Sequence, residues 1–287
     1  MLVNMQAQQQ DVPPMKSSLM NCSEITQSYL EALDLSVEAQ DKTFLDNLQS
    51  RHIARFSFNN LGVVLGQELP LDLPALFDKI VVKGRGGYCF EHNKLVFHVL
   101  QELGFNVRLL VARVVNNRDV DAARTHRITL LELDGQQMIV DAGFGAMGPY
   151  HPVLLPQGQE ESDSHYRITE DGNGLFRMQV LKEGDYFTLY TFDMNTYTDA
   201  DCLLGHFYSH RHPDAAFVNN LVVSRKLAEV TYSLRNAEFH TITASDTLVA
   251  PVHDTQRLHI LLTEVFELDV DMAISEFLFE RFVVSVS

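Results

Sequence analysis

Lys83-Gly84-Arg85-Gly86-Gly87-Tyr88-Cys89-Phe90-Glu91-His92-Asn93 is the stretch from which the rest of the chain is read. Three glycines surround an arginine, and a single cysteine follows where a helical pattern begins. Leu95, Val96, Val99, Leu100 and Leu103 repeat at the spacing of one helix face, and Gly104 is a natural stop. This predicts a helix of about four turns with Cys89 in its first turn, entered through a Gly86-Gly87 bend. A helix N-terminus carries roughly half a positive charge and unpaired N–H groups. Both favour a thiolate, the nucleophilic form of cysteine, and the free N–H groups suit a developing oxyanion. A buried cysteine acting as a small hydrophobe is the alternative.

Upstream of this stretch the pattern is helical. Tyr29, Leu30, Leu33 and Leu35, then Phe44, Leu45 and Leu48, sit among polar residues, with Ser36 or Asp41 as caps for the second piece. Phe56, Phe58, Leu61, Val63 and Leu65 alternate towards their end as a short strand does. Residues 71–82 read as a further helix with Asp72 and Pro74 at its start. Downstream the character changes. Residues 107–115, 127–133 and 138–144 are strand-like, and Asp134-Gly135 between the last two is a hairpin signal. Residues 177–181 and 186–192 form another pair around Glu183-Gly184, which together point to a barrel or strongly curved sheet. Residues 157–164 read as a polar, acidic loop. After Pro213 come short strand signals at 221–223, 230–233 and 239–242, then a helical pattern at Leu258, Leu261, Leu262 and Val265.

The hairpin register brings two further side chains into play. If Asp134-Gly135 is the loop, Leu133 faces Gln136, Ile128 faces Asp141 and His126 faces Gly143. His126 and Asp141 then share one face as diagonal neighbours, with Cβ atoms about 7–8 Å apart, close enough for one hydrogen bond. One extra loop residue would separate them. Cys89, His126 and Asp141 thus form a candidate triad: Asp141 fixes the imidazole, and His126 pairs with the thiolate and shuttles protons. A strand-end histidine and a turn aspartate are the bland alternatives.

Composition narrows the class. The 287 residues, 46% of them hydrophobic, can bury a large core, and no run approaches the ~20 apolar residues of a membrane span. A net charge of −16 argues against nucleic acid or an anionic membrane as partner. The three cysteines, Cys22, Cys89 and Cys202, lack metal-type spacing and suit a reducing cytoplasm. The N-terminus, with Gln8-Gln9-Gln10 and Pro13-Pro14, reads as a disordered leader and not a signal peptide. His206, His210 and His212 near Asp199 and Asp201 do not make a convincing metal site, and no metal is expected.

The residues resemble the arylamine N-acetyltransferases. The likeness is carried by Arg85 to Glu91, by Arg124-Thr125-His126 and by Val140-Asp141-Ala142-Gly143-Phe144-Gly145, and it runs from about Tyr29 to Arg225. It implies an α+β fold with a cysteine-proteinase-like catalytic core. Behind a leader at 1–20 stand a helical domain at 21–104 with the nucleophile, a β-barrel at 105–212 with the His and Asp, and an α/β lid at 213–287. It also implies a cytoplasmic enzyme of xenobiotic metabolism with no permanently bound cofactor. Acetyl-CoA would acetylate Cys89, and an arylamine, arylhydrazine or N-hydroxyarylamine would take the acetyl group. Phe58, Phe90 and Phe144 match positions around the acceptor pocket, with plain core packing as the alternative. Thr125, Gly143 and Gly145 are the candidate CoA contacts, and Arg124 and Arg127 are guesses for the phosphates. An amide synthase of the same fold, or a cysteine hydrolase with the same triad, is the competing reading. Two departures stand out: Asn59 replaces the glutamate expected to pair with Arg85, and Arg127 replaces an apolar residue, on the face opposite His126.

Overall fold

A computed structural model describes residues 20–156 and 165–284. The expected leader, apart from Met20, and the expected polar loop at 157–164 lie outside these residues.

The helices that open the chain are set by their caps. Asn21 and Glu24 cap α1 (Cys22–Ala32) reciprocally. Asp41, not Ser36, starts α2 (Lys42–Arg55) by accepting from the Phe44 N–H at 2.8 Å. Phe58–Asn59 is a two-residue strand, β1. The alternation at 61–65 is no strand. Leu61–Val64 is a helical turn, α3, buried on all sides, so the pattern carried no face information. Asp72 caps α4 (Leu73–Phe77), which runs on into a π-helical turn at Asp78–Val82. Then comes α5 (Cys89–Glu102), closed by Gly104 at φ +85°. Leu95, Val96, Val99 and Leu100 of α5 are buried in one core with Leu45, Leu48, Leu76 and Ile80.

Among the described residues, seven strands form an antiparallel sheet in the order β5-β4-β3-β2-β8-β7-β6. They are β2 (Asn106–Val114), β3 (Arg124–Leu133), β4 (Gln136–Val140), β5 (Val153–Leu154), β6 (Tyr166–Glu170), β7 (Phe176–Lys182) and β8 (Asp185–Phe192). The end strands β5 and β6 touch, so the sheet is nearly closed into a barrel around Leu110, Ile128, Met178 and Leu189. The β3–β4 register has Leu133 opposite Gln136, as the Asp134-Gly135 turn predicts, with Asp134 at φ 51° and Gly135 at φ 76°. The ladder ends at Thr129–Val140, however, so the expected Ile128–Asp141 and His126–Gly143 pairs do not form.

The helices α6 (Asp199–Arg211) and α7 (Ala216–Asn219) lead to a second sheet, ordered β1-β9-β10-β11-β12. Its strands are β9 (Val222–Lys226), β10 (Val230–Arg235), β11 (Glu238–Thr243) and β12 (Thr247–Pro251), of which β12 carried no legible signal. β1, from the helical part of the chain, pairs with β9 through Phe58–Ser224 and Asn59–Val223. α8 (Thr255–Ile260) and α9 (Met272–Phe282) close the underside of this sheet over Val223, Leu234, Leu258 and Leu278.

Candidate active site

Cys89 is the first residue of α5 and is 4% exposed. Its turn is held by Glu91, whose carboxylate accepts from the Tyr88 N–H at 3.1 Å and pairs with Lys79 at 2.6 Å. Glycine is required at 86, where φ is +55° and a Cβ would collide with the Ser57 carbonyl. Asn59 gives Arg85 a different role from the expected one. Its side-chain N–H donates to the Arg85 carbonyl at 2.9 Å, and its oxygen accepts from the Leu61 N–H at 3.0 Å. The Arg85 guanidinium instead reaches Asp269 at 3.4 Å, an exposed pair worth little energetically.

His126 lies in β3, and its Nε2 is 2.8 Å from Asp141 Oδ2; both side chains are buried. A carboxylate accepts, so Nε2 carries the proton and Nδ1 is left as the acceptor. Because β4 has ended, Asp141 is positioned by side chains and not by the ladder. Asn93, one helical turn beyond Cys89, donates to Asp141 Oδ1 at 2.8 Å and to the Arg127 carbonyl at 2.6 Å, and accepts from the Ala142 N–H at 2.8 Å. Gln49 accepts from the Asp141 N–H at 3.1 Å. Burial opposes charge on Asp141, but His126, Asn93 and the Gly143 N–H hold its carboxyl below the ordinary range.

The thiol behaves differently from the expectation set by the helix terminus. Burial pushes Cys89 up, and the Asp141 carboxylate adds to this, against a lowering contact from the Phe90 N–H. A surface helix terminus contributes about 0.3–1 kcal/mol, while full burial shifts a group by up to about 3–5 pKa units, so burial wins. In the resting structure Cys89 Sγ–H donates to the Thr125 carbonyl at 3.6 Å.

Cys89 and His126 open on one cavity of about 820 Å³ between the barrel, α6–α7 and the second sheet. Of the residues the resemblance offers for substrate and CoA, Phe58, Phe144, Thr125, Gly143 and Gly145 line this cavity. A Cβ on Gly143 would lie 3.0 Å from the Cys89 Cα, so the Asp141 loop packs directly on the nucleophile's backbone. Phe90 is not a pocket residue. It is 0% exposed, with its ring 5.7 Å from that of His206, under α6. Arg124 and Arg127 also fall away from the cavity: Arg124 pairs with Asp193 at 2.6 Å, and the buried Arg127 pairs with Asp199 at 2.7 Å. Sequence reasoning missed Asn93 and Gln49, buried amides on α5 and α2 that no motif or periodicity marks. It also missed Tyr190, whose ring lies tilted against His126 with centroids 5.0 Å apart and whose buried hydroxyl lies beside Asp141 without reaching hydrogen-bond geometry. Among the described residues no three His, Cys, Asp or Glu side chains gather as a metal site. No described helix is long and apolar enough to cross a membrane.

A buried cysteine and an imidazole with a free acceptor nitrogen on the wall of a largely apolar cavity, with a carboxylate behind the imidazole, are the groups that cysteine-based acyl chemistry uses. The model of the N-acetyltransferase family matches residues 42–275. The arylamine N-acetyltransferase of Escherichia coli is 33% identical over 231 residues, covering 79% of this chain and 82% of that protein. The solved arylamine N-acetyltransferase of Salmonella typhimurium superposes with a TM-score of 0.83 at 28% identity, covering 90% of this chain and 98% of that one. The Mycobacterium marinum arylamine N-acetyltransferase, solved in complex with CoA, gives 0.83 at 26% identity, covering 90% and 99%. The chain belongs to the arylamine N-acetyltransferase family.

Proposed function

We propose that the protein transfers an acetyl group from acetyl-CoA to an arylamine, arylhydrazine or N-hydroxyarylamine in the cytoplasm, by a ping-pong route through an acetyl-Cys89 thioester. The observation that carries this is Cys89 and His126 on the wall of one cavity with aromatic lining, with the buried Asp141 bonded to His126 behind it. In the first half-reaction Cys89 sulfur attacks the thioester carbonyl while its proton passes to His126 Nδ1. The new C–S bond forms, the old one breaks, and His126 returns the proton to the departing CoA thiolate. In the second, the acceptor nitrogen (or hydroxyl oxygen) attacks the acetyl-Cys89 carbonyl and gives its proton to His126. The Cys89 thiolate leaves and takes that proton back. Asp141 holds the imidazole by Nε2 throughout and stabilises the cation that forms twice. Both half-reactions exchange one thiolate leaving group for another or for an amine, so the acetyl group stays activated on Cys89 until the acceptor arrives.

Phe58 and Phe144 support transfer over hydrolysis by offering faces to an aromatic acceptor, while water gains nothing from them. The E. coli and S. typhimurium names and the CoA complex of the M. marinum protein support the choice of donor and acceptor class. The test follows CoA release with and without an aromatic amine. Release that stops after about one equivalent alone, and turns over only when the amine is added, is expected. Equal turnover in both would identify a thioester hydrolase.

A further inference from the structure

The cavity carries an unexplained pair of charges. Arg118, just after β2, and Arg235, in β10, both line it, and among the described residues they are its only Lys or Arg residues. They are also, among the described residues, the two arginines whose side chains have no hydrogen bond, ion pair or ring contact. Elsewhere guanidiniums are engaged: Arg85 with Asp269, Arg124 with Asp193, Arg127 with Asp199, Arg225 with Glu267. Both side chains are exposed, so their forks of five donors are open to an anion that enters the cavity.

Both are placed by rigid backbone. Arg118 follows Asn116 and Asn117, two consecutive residues at φ 46° and 57°. This turn is locked to β8, since the Asn117 N–H donates to the Thr188 carbonyl at 2.7 Å and the Asn117 side chain accepts from the Thr188 N–H at 3.2 Å. Arg235 sits in β10 opposite Val222 of β9, two residues on from Ser233, which faces Ser224 and through it Phe58. Alternation puts Ser233 and Arg235 on the cavity face while Leu234 is buried in the core beneath. Arg235 is thus about 7 Å further along the strand than the Phe58 row.

We infer that Arg118 and Arg235 clamp the phosphates of the acyl donor's nucleotide end across the cavity mouth, with the thioester end directed at Cys89. The inference rests on the CoA-thioester reading above. Two carboxylates, Asp121 and Asp214, share the cavity, so its formal charge cancels and no long-range field draws an anion in. The arginines act at contact, through charge-assisted and bidentate hydrogen bonds to phosphate. This is the local exception that a chain of net charge −16 needs to hold a polyanionic co-substrate.

Equilibrium binding of CoA and of pantetheine, which has the same thiol arm but no phosphate, tests this under reducing conditions. Arg118→Ala and Arg235→Ala are each expected to weaken CoA by about five- to tenfold and leave pantetheine unaltered, as loss of a charge-assisted contact predicts. Arg→Lys at either site is expected to restore part of the loss, since it keeps the charge without the fork. CoA affinity unchanged in both alanine variants, or CoA and pantetheine weakened equally, overturns the clamp. Binding through the arginines in a protein that never acquires an acetyl group would instead sink the transferase reading and leave the clamp standing.

Discussion

At the scale of single residues, the site is held by a polar side chain that does no chemistry. Asn93 ties Asp141, Ala142 and Arg127 to the helix that carries Cys89, so one amide sets the distance between nucleophile and base. Asn93→Ala is expected to slow acetylation of Cys89 by about 10- to 100-fold, the order of effect for a misplacement near 1 Å. Asp141→Asn is expected to cost more, about 10³-fold or above, because the imidazole loses both its tautomer and its counter-charge. Rapid-quench measurement of the first half-reaction checks the order; an Asn93→Ala variant as fast as the parent would remove the amide from the account. The His126–Asp141 contact forms although the ladder used to expect it stops at Thr129–Val140, while Cys89 was legible because it opens a helix whose phase can be counted. Asn93 was not, because a lone buried amide on a helix has no periodicity to betray it. The direction of the thiol's pKa was misjudged for a related reason: the helix terminus is local and readable, and the burial around it is not.

At the scale of elements, α5 is anchored beneath the nucleophile by a buried chain of rings. His92 Nε2–H donates to the Ser57 carbonyl at 3.3 Å, which leaves its Nδ1 to accept from His52 Nε2–H at 2.7 Å. His52 Nδ1 then accepts from the Tyr29 hydroxyl at 2.8 Å. The chain works only with both rings neutral, and burial lowers both: His92 to about 4, and His52 well below its ordinary value, with His92 adding to the effect. Between the unfolded value near 6.5 and these lower ones, the unfolded chain binds more protons than the folded one. Stability is therefore full above about pH 6.5 and falls as pH drops from there towards 4. Urea unfolding at pH 7.5, 6 and 5 is expected to show a falling midpoint, and His92→Gln a shallower fall. A variant with the same slope as the parent would contradict the ring chain as the source. The Asp134-Gly135 hairpin and Asp72 cap show how much of the element layout is readable from turn and cap chemistry. Leu61–Leu65 shows the limit, since a fully buried turn alternates by accident.

At the scale of the whole molecule, the two sheets and the first helices are stitched around the cavity by contacts far apart in sequence. β1 joins the second sheet, Ser57 Oγ donates to the Phe266 carbonyl at 2.5 Å, and Arg225 reaches both the Ala54 carbonyl and Glu267 at 2.8 Å. None of these was legible, because each pairs residues whose partners are fixed only by the fold. The same holds for Arg127, which looked available for phosphate and proves to be a buried strut to α6. The strand pairs and the family motifs both predicted the barrel, and of the three expected pocket aromatics Phe58 and Phe144 line the cavity while Phe90 does not; the arginines that line it became visible only once every other guanidinium had found its partner. The central claim is that Cys89 carries the acetyl group between substrates. Intact-protein mass after mixing with acetyl-CoA and no acceptor tests it most directly. The account predicts a gain of one acetyl group that is absent in Cys89→Ser and vanishes when an aromatic amine is added. An unchanged mass with no CoA released, or a gain that survives in Cys89→Ser, would contradict it.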